Sequence, residues 1–281
     1  MTTSHTMQAP HANTYRRVPT TSTPISPEKV AAVLAAEWEL FTKNTKASEA
    51  ESKRAFSSLP LGVTSSFQHW DPYPISIASA EGAYMTDVDG RKLLDLSMGF
   101  GAMLAGHLNP VVVEEIESSL KKGMLFVTPS PTSTDAAERI CKRFGIDQVR
   151  FTNSGTESTM YAVRVARSAT DKMGILKIEG GYHGSYDPFV VSSKPPVDKI
   201  GNPDKPKPYI DSNLVPGDIY VVPFNNIDAL EKMFKKNAKK LACFIVEPVL
   251  ENLAIVLPDA GYLERVRELC DQYNVVLIFD E

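Results

Sequence analysis

The stretch "LACFIVEPVLENLAIVLPDAGYLERVRELCDQYNVVLIFDE", residues 241–281, decides the fold class. It contains two apolar, β-rich runs, "LACFIV" and "NVVLIF", separated by a segment whose apolar residues recur at helical spacing over 262–273. Runs that are apolar throughout are typical of strands covered on both faces, as in a parallel sheet. The stretch therefore predicts a strand–helix–strand unit of an α/β fold, with a mostly parallel sheet flanked by helices.

The same alternation extends toward the N-terminus. Further strands are predicted at "QVRFT" (148–152), "GILKIEG" (174–180) and "DIYVVPF" (218–224). Helical spacing predicts further helices near 110–122, 132–144, 156–169 and 227–237. Before them, "GAYMTDVDGRKLLDLS" (82–97) predicts two short strands around the turn pair Asp89-Gly90, after a Pro-rich, irregular stretch that includes "DPYPISIASAEG".

The chain is predicted to have three parts. Residues 1–27 contain no Asp or Glu and many Ser and Thr, which predicts a disordered tail. Residues 28–108 hold a first helix, capped by Ser26, and a small β lobe; residues 109–281 form the large domain. The first helix is interpreted as packed on its own domain or a dimer partner, in preference to a partner-binding arm. The Pro-rich segment 192–217 is predicted to be a surface loop, one reading being a lip over a site.

Composition excludes several classes of function. With 281 residues, 43% hydrophobic residues and a formal net charge of -4, the chain reads as soluble and globular, with no nucleic-acid partner. No apolar run reaches the roughly 18 residues that a membrane span needs, and no signal-peptide core is present, so we expect a cytoplasmic protein. Mitochondrial import is less favoured, because Arg16 and Arg17 alone give no basic amphipathic face. Neither the scattered cysteines nor the histidines show metal-ligand spacing.

A predicted strand-turn-helix junction lies in "VRFTNSGTESTMYAVRVAR" (149–167). Ser154, Gly155 and Thr156 occupy the turn, so free backbone N–H groups and hydroxyls meet at a helix N-terminus, which suits a phosphate. An ordinary capped helix explains the same residues equally well.

A second motif, "EGGYHG" (179–184), follows a predicted strand. Its glycines let the backbone approach a ligand and present Tyr182, which can stack on a planar ring, beside His183. Taken alone, a Gly-rich loop that closes the core is the better reading.

Carboxylates end two consecutive apolar strands, Glu247 in "FIVEP" and Asp280 with Glu281 in "FDE". A buried carboxylate costs several kcal/mol unless it is paired. A protonated pyridine nitrogen would be a suitable partner for Asp280, whereas salt bridges to Arg or Lys explain Glu247 and Glu281 equally well.

The order "FTNSGTES", "EGGYHG", "VEP" and "FDE", together with "GHLNP" upstream, resembles the class III (fold type I) pyridoxal-phosphate aminotransferases. The resemblance covers residues 59–281 and is strongest to the glutamate-1-semialdehyde aminomutase and β-amino-acid transaminase branch. It implies pyridoxal 5'-phosphate as cofactor, amine or amino-acid and keto substrates, and a homodimer. A dinucleotide-binding dehydrogenase is disfavoured, because no Gly-rich fingerprint follows any strand.

The resemblance also implies roles for individual residues. Ser154, Gly155 and Thr156 match the phosphate-binding turn of the family. Tyr182 matches the aromatic residue that stacks on the pyridine ring, with His183 beside it, and Asp280 matches the partner of the ring nitrogen. Asn252 matches an asparagine near the ring hydroxyl, and Phe100 matches a bulky residue that contacts the substrate.

Three departures from the family pattern bear on function. Glu251 stands where a glycine is usual, which puts the loop around Asn252 in doubt. No Arg or Lys occurs between Arg54 and Arg91, where relatives place an arginine that holds a substrate carboxylate, so we hypothesise a substrate without that carboxylate or with it held elsewhere.

The third departure concerns the lysine that forms a Schiff base with the cofactor, which in the family follows the Asp-Glu pair and would lie beyond Glu281. Lys177 is interpreted as a strand lysine that reaches the surface or a salt bridge. We therefore expect no catalytic lysine within these residues, and an N-terminal portion of an aminotransferase that is inactive alone. The alternative is a shortened, non-catalytic binding or dimerisation partner.

Overall fold

The computed structural model describes residues 26–193 and 218–281. They form two compact units, one ending at Thr128 and the other beginning at Pro129. The predicted tail lies outside the described residues except for Ser26 and Pro27. The predicted surface loop lies outside them except for Ser192 and Ser193.

The first unit combines helices with a small antiparallel sheet of strand order β1-β2-β3. Its elements are α1 (Pro27–Asn44), α2 (Lys46–Ala55), β1 (Ile77–Glu81), β2 (Tyr84–Asp87), β3 (Lys92–Leu94) and α3 (Pro110–Leu120). The Ser26 side chain accepts a hydrogen bond from the Lys29 N–H at 3.2 Å, which confirms the predicted cap of α1.

Two elements of this unit were not predicted. Strand β1 forms in the stretch interpreted as irregular, because β2 supplies its ladder partners, with Ala80 opposite Met85. Helix α2 begins where the predicted turn residue Asp89 accepts hydrogen bonds from the N–H groups of Ala47, at 2.6 Å, and Ser48, at 3.0 Å. The start of α2 depends on a residue more than 40 positions away, which a local pattern does not reveal, whereas β1 pairs with the adjacent strand β2.

Helix α1 buries none of its side chains. Near its end the Phe41 ring packs on Tyr73 with ring centroids 5.3 Å apart, whereas Val30, Val33 and Leu34 are exposed. Packing on a dimer partner stays a prediction.

The second unit is an α/β domain. Its elements are α4 (Pro131–Phe144), α5 (Gly155–Thr170), β4 (Gly174–Ile178), α6 (Asp187–Val190), β5 (Ile219–Val222), α7 (Ile227–Asn237), β6 (Leu241–Val246), α8 (Tyr262–Tyr273) and β7 (Val276–Phe279). The strands pair in parallel in the order β5-β4-β6-β7. This confirms the predicted fold class and the helices that the spacing indicated.

Side chains alternate along each strand, so the sheet has two apolar faces, and helices cover both of them. On one face, Leu176 and Phe244 pack with Leu230 and Phe234 of α7 and with Val266 of α8. On the other face, apolar side chains pack with α5 and with the segment around α6: Ile175, Val221, Ile245, Val163, Ala166 and Phe189. The sheet therefore lies between helices, and β4 and β6 are buried as their apolar runs predicted, whereas β7 is only partly buried.

The strand predicted at "QVRFT" is wrong. Residues 148–152 are irregular, pair with no strand among the described residues, and leave Phe151 53% exposed. An apolar alternation needs a neighbouring strand before it forms a ladder. The two compact units divide at 128/129, and α3 lies in the first of them; the domain boundary at 109 stays a prediction.

The strand order fixes where a site forms. From β4 the chain proceeds to β5 on one side, and from β6 it proceeds to β7 on the other, although β4 and β6 are neighbours. The connections that leave these two strands therefore diverge and open a crevice at their carboxyl ends.

Candidate functional site

A cavity of about 590 Å³ lies at this crevice in the second unit, within the size range of small-molecule sites. It is bordered by the start of α5 and by the segments that follow β4, β6 and β7. The lining residues are Ser154, Gly155, Thr156, Thr159, Tyr182, His183, Gly184, Glu247, Pro248, Val249, Glu251, Asn252, Asp280 and Glu281. All of the predicted cofactor-binding residues are among them: Ser154, Gly155, Thr156, Tyr182, His183, Asn252 and Asp280.

The N-terminus of α5 forms one end of the cavity. The Ser154 hydroxyl accepts a hydrogen bond from the Glu157 N–H at 3.1 Å, and Glu157 Oε2 accepts one from the Asn153 N–H at 2.8 Å, so the helix start is capped. Gly155 and Thr156 come first in the helix, where N–H groups have no carbonyl in the preceding turn to bond. A side chain at Gly155 would meet open space, so an anion can approach these N–H groups.

The Gly-rich loop after β4 packs directly on this helix. Gly184 has a φ of +94°, and a Cβ there would lie 2.5 Å from Thr156 Oγ1 and 2.8 Å from Thr156 Cα. Thr159 Oγ1 donates to the His183 carbonyl at 2.9 Å, and the Ser185 N–H donates to Thr156 Oγ1 at 3.1 Å. Glycine is therefore needed at 184 for the loop to approach α5.

The loop presents one exposed and one buried ring. Tyr182 is 41% exposed and borders the cavity, whereas His183 is buried. His183 Nδ1 lies 2.8 Å from Asp280 Oδ2, and its Nε2 has no hydrogen-bond partner among the described residues. The Asp280 side chain is 27% exposed, so one oxygen is held by histidine while the carboxylate still faces the cavity.

Glu247 joins the loop after β4 to the turn after β6. Its Oε1 accepts from the Tyr182 N–H at 2.9 Å, and its Oε2 accepts from the Glu251 N–H at 3.0 Å and from Asn252 Nδ2 at 3.4 Å. Glu247 forms no salt bridge with an Arg or Lys among the described residues, so that alternative is wrong there. Backbone and side-chain N–H groups bind the carboxylate instead.

The turn around Asn252 forms in spite of Glu251. Glu251–Leu253 is a single 3-10 turn, and it is closed by Leu250 and Val256, whose N–H groups each donate to the other's carbonyl at 3.0 and 3.1 Å. Asn252 therefore borders the cavity, although its role toward a ring hydroxyl stays a prediction.

The interpretation of Lys177 as a surface or salt-bridged lysine is wrong. Lys177 is 0% exposed in β4, and its ammonium donates to the carbonyls of Gly181, at 2.9 Å, and Val191, at 2.7 Å. In the sheet it lies opposite Val221 and Ile245, both buried, because β4 is covered on both faces. Burial lowers the pKa of Lys177 to about 8, against the opposing effect of Glu247 and Glu179.

Phe100, predicted to contact a substrate, lies in the first unit. It is 81% exposed, adopts a φ of +56°, and its ring packs edge-on against Phe67 with centroids 5.4 Å apart. Its role toward a substrate stays a prediction.

The charges around the cavity are one-sided. None of the described residues that line the cavity is a Lys or Arg. Four of them are acidic: Glu247, Glu251, Asp280 and Glu281. Within residues 26–193 and 218–281, no group of His, Cys, Asp and Glu side chains could hold a metal ion. The same residues include no helix long and apolar enough to cross a membrane.

Together these residues can bind a small molecule with three distinct parts. An anionic group suits the N-terminus of α5, a planar ring suits the exposed face of Tyr182, and a protonated ring nitrogen suits Asp280. Pyridoxal phosphate has all three parts, so the donor set fits that group.

Sequence reasoning missed Thr159 and the bonding of Glu247. Thr159 lies one turn inside α5, where its hydroxyl reaches a loop 24 residues later in the chain, and no local pattern marks it. Glu247 did carry a signal, because a carboxylate directly after a buried strand needs hydrogen-bond donors.

Known proteins match this chain over most of its length. The aminotransferase class-III family model matches residues 66–281. A glutamate-1-semialdehyde 2,1-aminomutase from Methanothrix thermoacetophila is 39% identical over 245 residues, which cover 85% of this chain and 55% of the relative. The chain thus spans about half the length of the curated relatives it matches.

Two solved structures are similar in fold and sequence. One is a transaminase with PLP bound, at a TM-score of 0.76 and 32% identity, with 83% of this chain and 54% of that one covered. The other is a β-phenylalanine aminotransferase from Variovorax paradoxus, at a TM-score of 0.77 and 26% identity, with 89% and 54% covered.

Proposed function

Because this chain belongs to the class-III aminotransferase family, we propose that the protein containing it uses pyridoxal 5'-phosphate to transfer an amino group between an amine or amino acid and a carbonyl acceptor. The observation that carries the proposal is the convergence of a helix N-terminus, an exposed tyrosine ring and Asp280 on one cavity. A relative with PLP bound and an aminomutase relative support it.

The chemistry that the cofactor supplies when bound is an electron sink for the carbanion that the substrate forms. The protein supplies binding and electrostatics. The Gly155 and Thr156 N–H groups and the helix dipole hold the phosphate, and Tyr182 offers a ring face.

Asp280 would accept a hydrogen bond from the protonated ring nitrogen, and its negative charge would keep that nitrogen protonated. His183 orients Asp280 through the 2.8 Å contact between Nδ1 and Oδ2. Because His183 is buried, Asp280 is held in one orientation without losing its exposure to the cavity.

A group that moves the substrate proton is still needed. No lysine borders the cavity among the described residues. We propose that this base comes from elsewhere in the protein, in keeping with the resemblance, which assigns it to a lysine that follows the Asp-Glu pair.

We also propose a homodimer. Between residues 96 and 127 the first unit exposes many large apolar side chains, among them Leu96, Leu104, Leu125 and Val127. Exposed apolar surface of this kind favours a protein interface. Sedimentation velocity is expected to give a dimer at micromolar concentration, and a monomer at all concentrations would contradict it.

Binding of pyridoxamine 5'-phosphate tests the cofactor proposal, because this form needs no covalent lysine. Titration calorimetry with the 281-residue chain is expected to give saturable one-to-one binding. Unphosphorylated pyridoxamine is expected to bind at least about ten-fold more weakly, since it lacks the anion for α5. Equal affinities, or no saturable binding, would contradict the proposal.

A second candidate, a non-catalytic binding or dimerisation partner, is favoured only by the absence of lysine from the described cavity lining. Turnover of an amine donor by the protein, with exchange of its amino group, would eliminate it.

A further inference from the structure

The peptide bond between Gly181 and Tyr182 is held by charged groups on both of its sides. Lys177 Nζ donates to the Gly181 carbonyl at 2.9 Å. The Tyr182 N–H, in the same peptide unit, donates to Glu247 Oε1 at 2.9 Å. A cation therefore binds the oxygen of this peptide while a carboxylate binds its N–H.

Both charged residues come from the sheet beneath the loop. Lys177 lies within β4, and Glu247 directly follows Val246 at the end of the neighbouring strand β6. The two strands are paired in register, with Lys177 opposite Ile245. A rigid, buried layer thus fixes the separation of the two groups that hold the peptide.

Burial makes Lys177 costly as a purely structural residue. Its stem lies among Ile175, Val221 and Ile245, where an apolar side chain would pack without losing hydration. Desolvation is the main reason that its pKa falls to about 8. The hydrogen bonds to Gly181 and Val191 are what the ammonium gains in return.

The loop is also held on either side of this peptide: the Gly180 N–H donates to the Ser192 carbonyl at 2.6 Å, and the Ser185 N–H donates to Thr156 Oγ1 at 3.1 Å. Gly180 and Gly184 adopt φ values of +84° and +94°, and glycines restrict the backbone least. At Gly180 a Cβ would lie 2.6 Å from the Leu253 side chain, so a larger residue has no room there. Polar contacts to the backbone at Gly181 and Tyr182 therefore add to the close packing at Gly180 and Gly184 as restraints on the loop.

A change in the backbone path at the Gly181–Tyr182 peptide would displace the next two side chains. Tyr182 faces the cavity, and His183 holds Asp280. One peptide unit thus controls the ring face and, through His183, the orientation of the carboxylate.

We propose that Lys177 and Glu247 are positioning residues that clamp the Gly181–Tyr182 peptide, so that the Tyr182 ring and Asp280 are fixed to receive the pyridine ring of the cofactor. This inference rests on the proposed function and assigns two residues to it that act through the loop.

Amide hydrogen exchange on the ligand-free chain tests the clamp without any cofactor. Lys177→Met is expected to raise exchange at 180–184 by about ten-fold or more, since hydrogen bonds to charged groups are lost. Lys172→Met is the matched control, because Lys172 Nζ also donates to two carbonyls, those of Tyr273 at 3.2 Å and Asn274 at 2.8 Å. This control is expected to leave exchange at 180–184 unchanged.

Glu247 provides a second route if Lys177→Met fails to fold. Glu247→Leu removes the acceptor for the Tyr182 N–H and is expected to raise exchange in the same segment. Glu247→Gln keeps an oxygen that can accept and is expected to restore most of the protection. Unchanged exchange in the folded variants, or an equal rise in Lys172→Met, would overturn the clamp.

Binding of pyridoxamine 5'-phosphate then tests positioning. Lys177→Met is expected to bind about ten-fold more weakly and to reduce the circular dichroism of the bound ring, while inorganic phosphate competes with wild-type affinity. In a Tyr182→Ala background, Lys177→Met is expected to weaken cofactor binding little further, since Lys177 acts through the Tyr182 ring.

A raised exchange rate with unchanged cofactor affinity and ring dichroism would overturn positioning. If the wild type bound no cofactor, the proposed function would fail, whereas the exchange data would still decide the clamp.

Discussion

Gly184→Ala is the substitution whose cost follows most directly from the geometry. The φ of +94° is unfavourable for an L side chain, and the new Cβ would lie 2.8 Å from Thr156 Cα and 3.0 Å from Thr156 Cβ. Because these atoms belong to the first turn of α5, they cannot rotate away, and the loop or the helix start must move.

The two effects separate with a control. Gly145 ends α4 with a φ of +66°, and a Cβ there would meet nothing within 4 Å. Gly145→Ala therefore measures the left-handed backbone alone, about 1 kcal/mol. Gly184→Ala adds overpacking of about 2 kcal/mol and is expected to lower the free energy of unfolding by about 3 kcal/mol in all.

Urea denaturation of the two variants and the wild type measures this difference. Pyridoxamine 5'-phosphate affinity is expected to fall only in Gly184→Ala, because Gly155 and Thr156 move with the helix start. If Gly184→Ala were as stable as Gly145→Ala and bound the cofactor as the wild type does, the close approach of loop and helix would be refuted.

Three further predictions follow from the same structure. The pKa of Lys177 is lowered from 10.5 to about 8, so the unfolded chain binds more protons than the folded chain between these pH values. The free energy of unfolding of the wild type is therefore expected to rise with pH relative to that of Lys177→Met, by up to about 3 kcal/mol. A pH-independent difference between the two in urea melts would contradict this. Thr159→Val leaves the His183 carbonyl without its 2.9 Å donor and is expected to destabilise the chain by about 1 kcal/mol in thermal melts, whereas no loss would mean that the bond is not formed. No Arg or Lys occurs between Arg54 and Arg91, where relatives hold a substrate carboxylate. The protein is therefore expected to prefer simple amines over glutamate-1-semialdehyde or β-amino acids by at least about ten-fold in turnover assays. The reverse preference would reject the hypothesis of a substrate without that carboxylate.

The large domain was predictable because its signals are local. Strands β6 and β7 are apolar along their whole length, and β4 is apolar except for Lys177, so consecutive residues indicate strands of a parallel sheet covered by helices. Helix α7 was predicted near 227–237 and forms over Ile227–Asn237, because its apolar residues recur at helical spacing there. These elements need no knowledge of a distant partner.

Elements that depend on a pairing strand or on a distant side chain were not predictable in this way. Strand β1 forms because β2 pairs with it, and "QVRFT" forms no strand because no described strand pairs with it. Helix α2 is held at its start by Asp89, more than 40 residues later, a contact that no window of sequence contains.

The site shows the same division. The resemblance assigned Ser154, Tyr182 and Asp280 to one site, and all three border one cavity. Tyr182 and Asp280 follow the parallel strands β4 and β7, whose carboxyl ends lie at the same edge of the sheet. Lys177 was misread because a lysine inside an apolar strand has usually to reach water. Only the position of the Gly181 and Val191 carbonyls explains how its charge remains buried.

The pairing of Asp280 with a protonated ring nitrogen is the central claim, and nuclear magnetic resonance tests it most directly. The pKa of the ring nitrogen of ¹⁵N-labelled pyridoxamine 5'-phosphate would be measured from its chemical shift, free and bound to the 281-residue chain. We predict that binding raises this pKa by about one pH unit or more, as a carboxylate partner does, and that Asp280→Ala abolishes the rise. An unchanged or lowered pKa in the wild type, or the same rise in Asp280→Ala, would contradict the account.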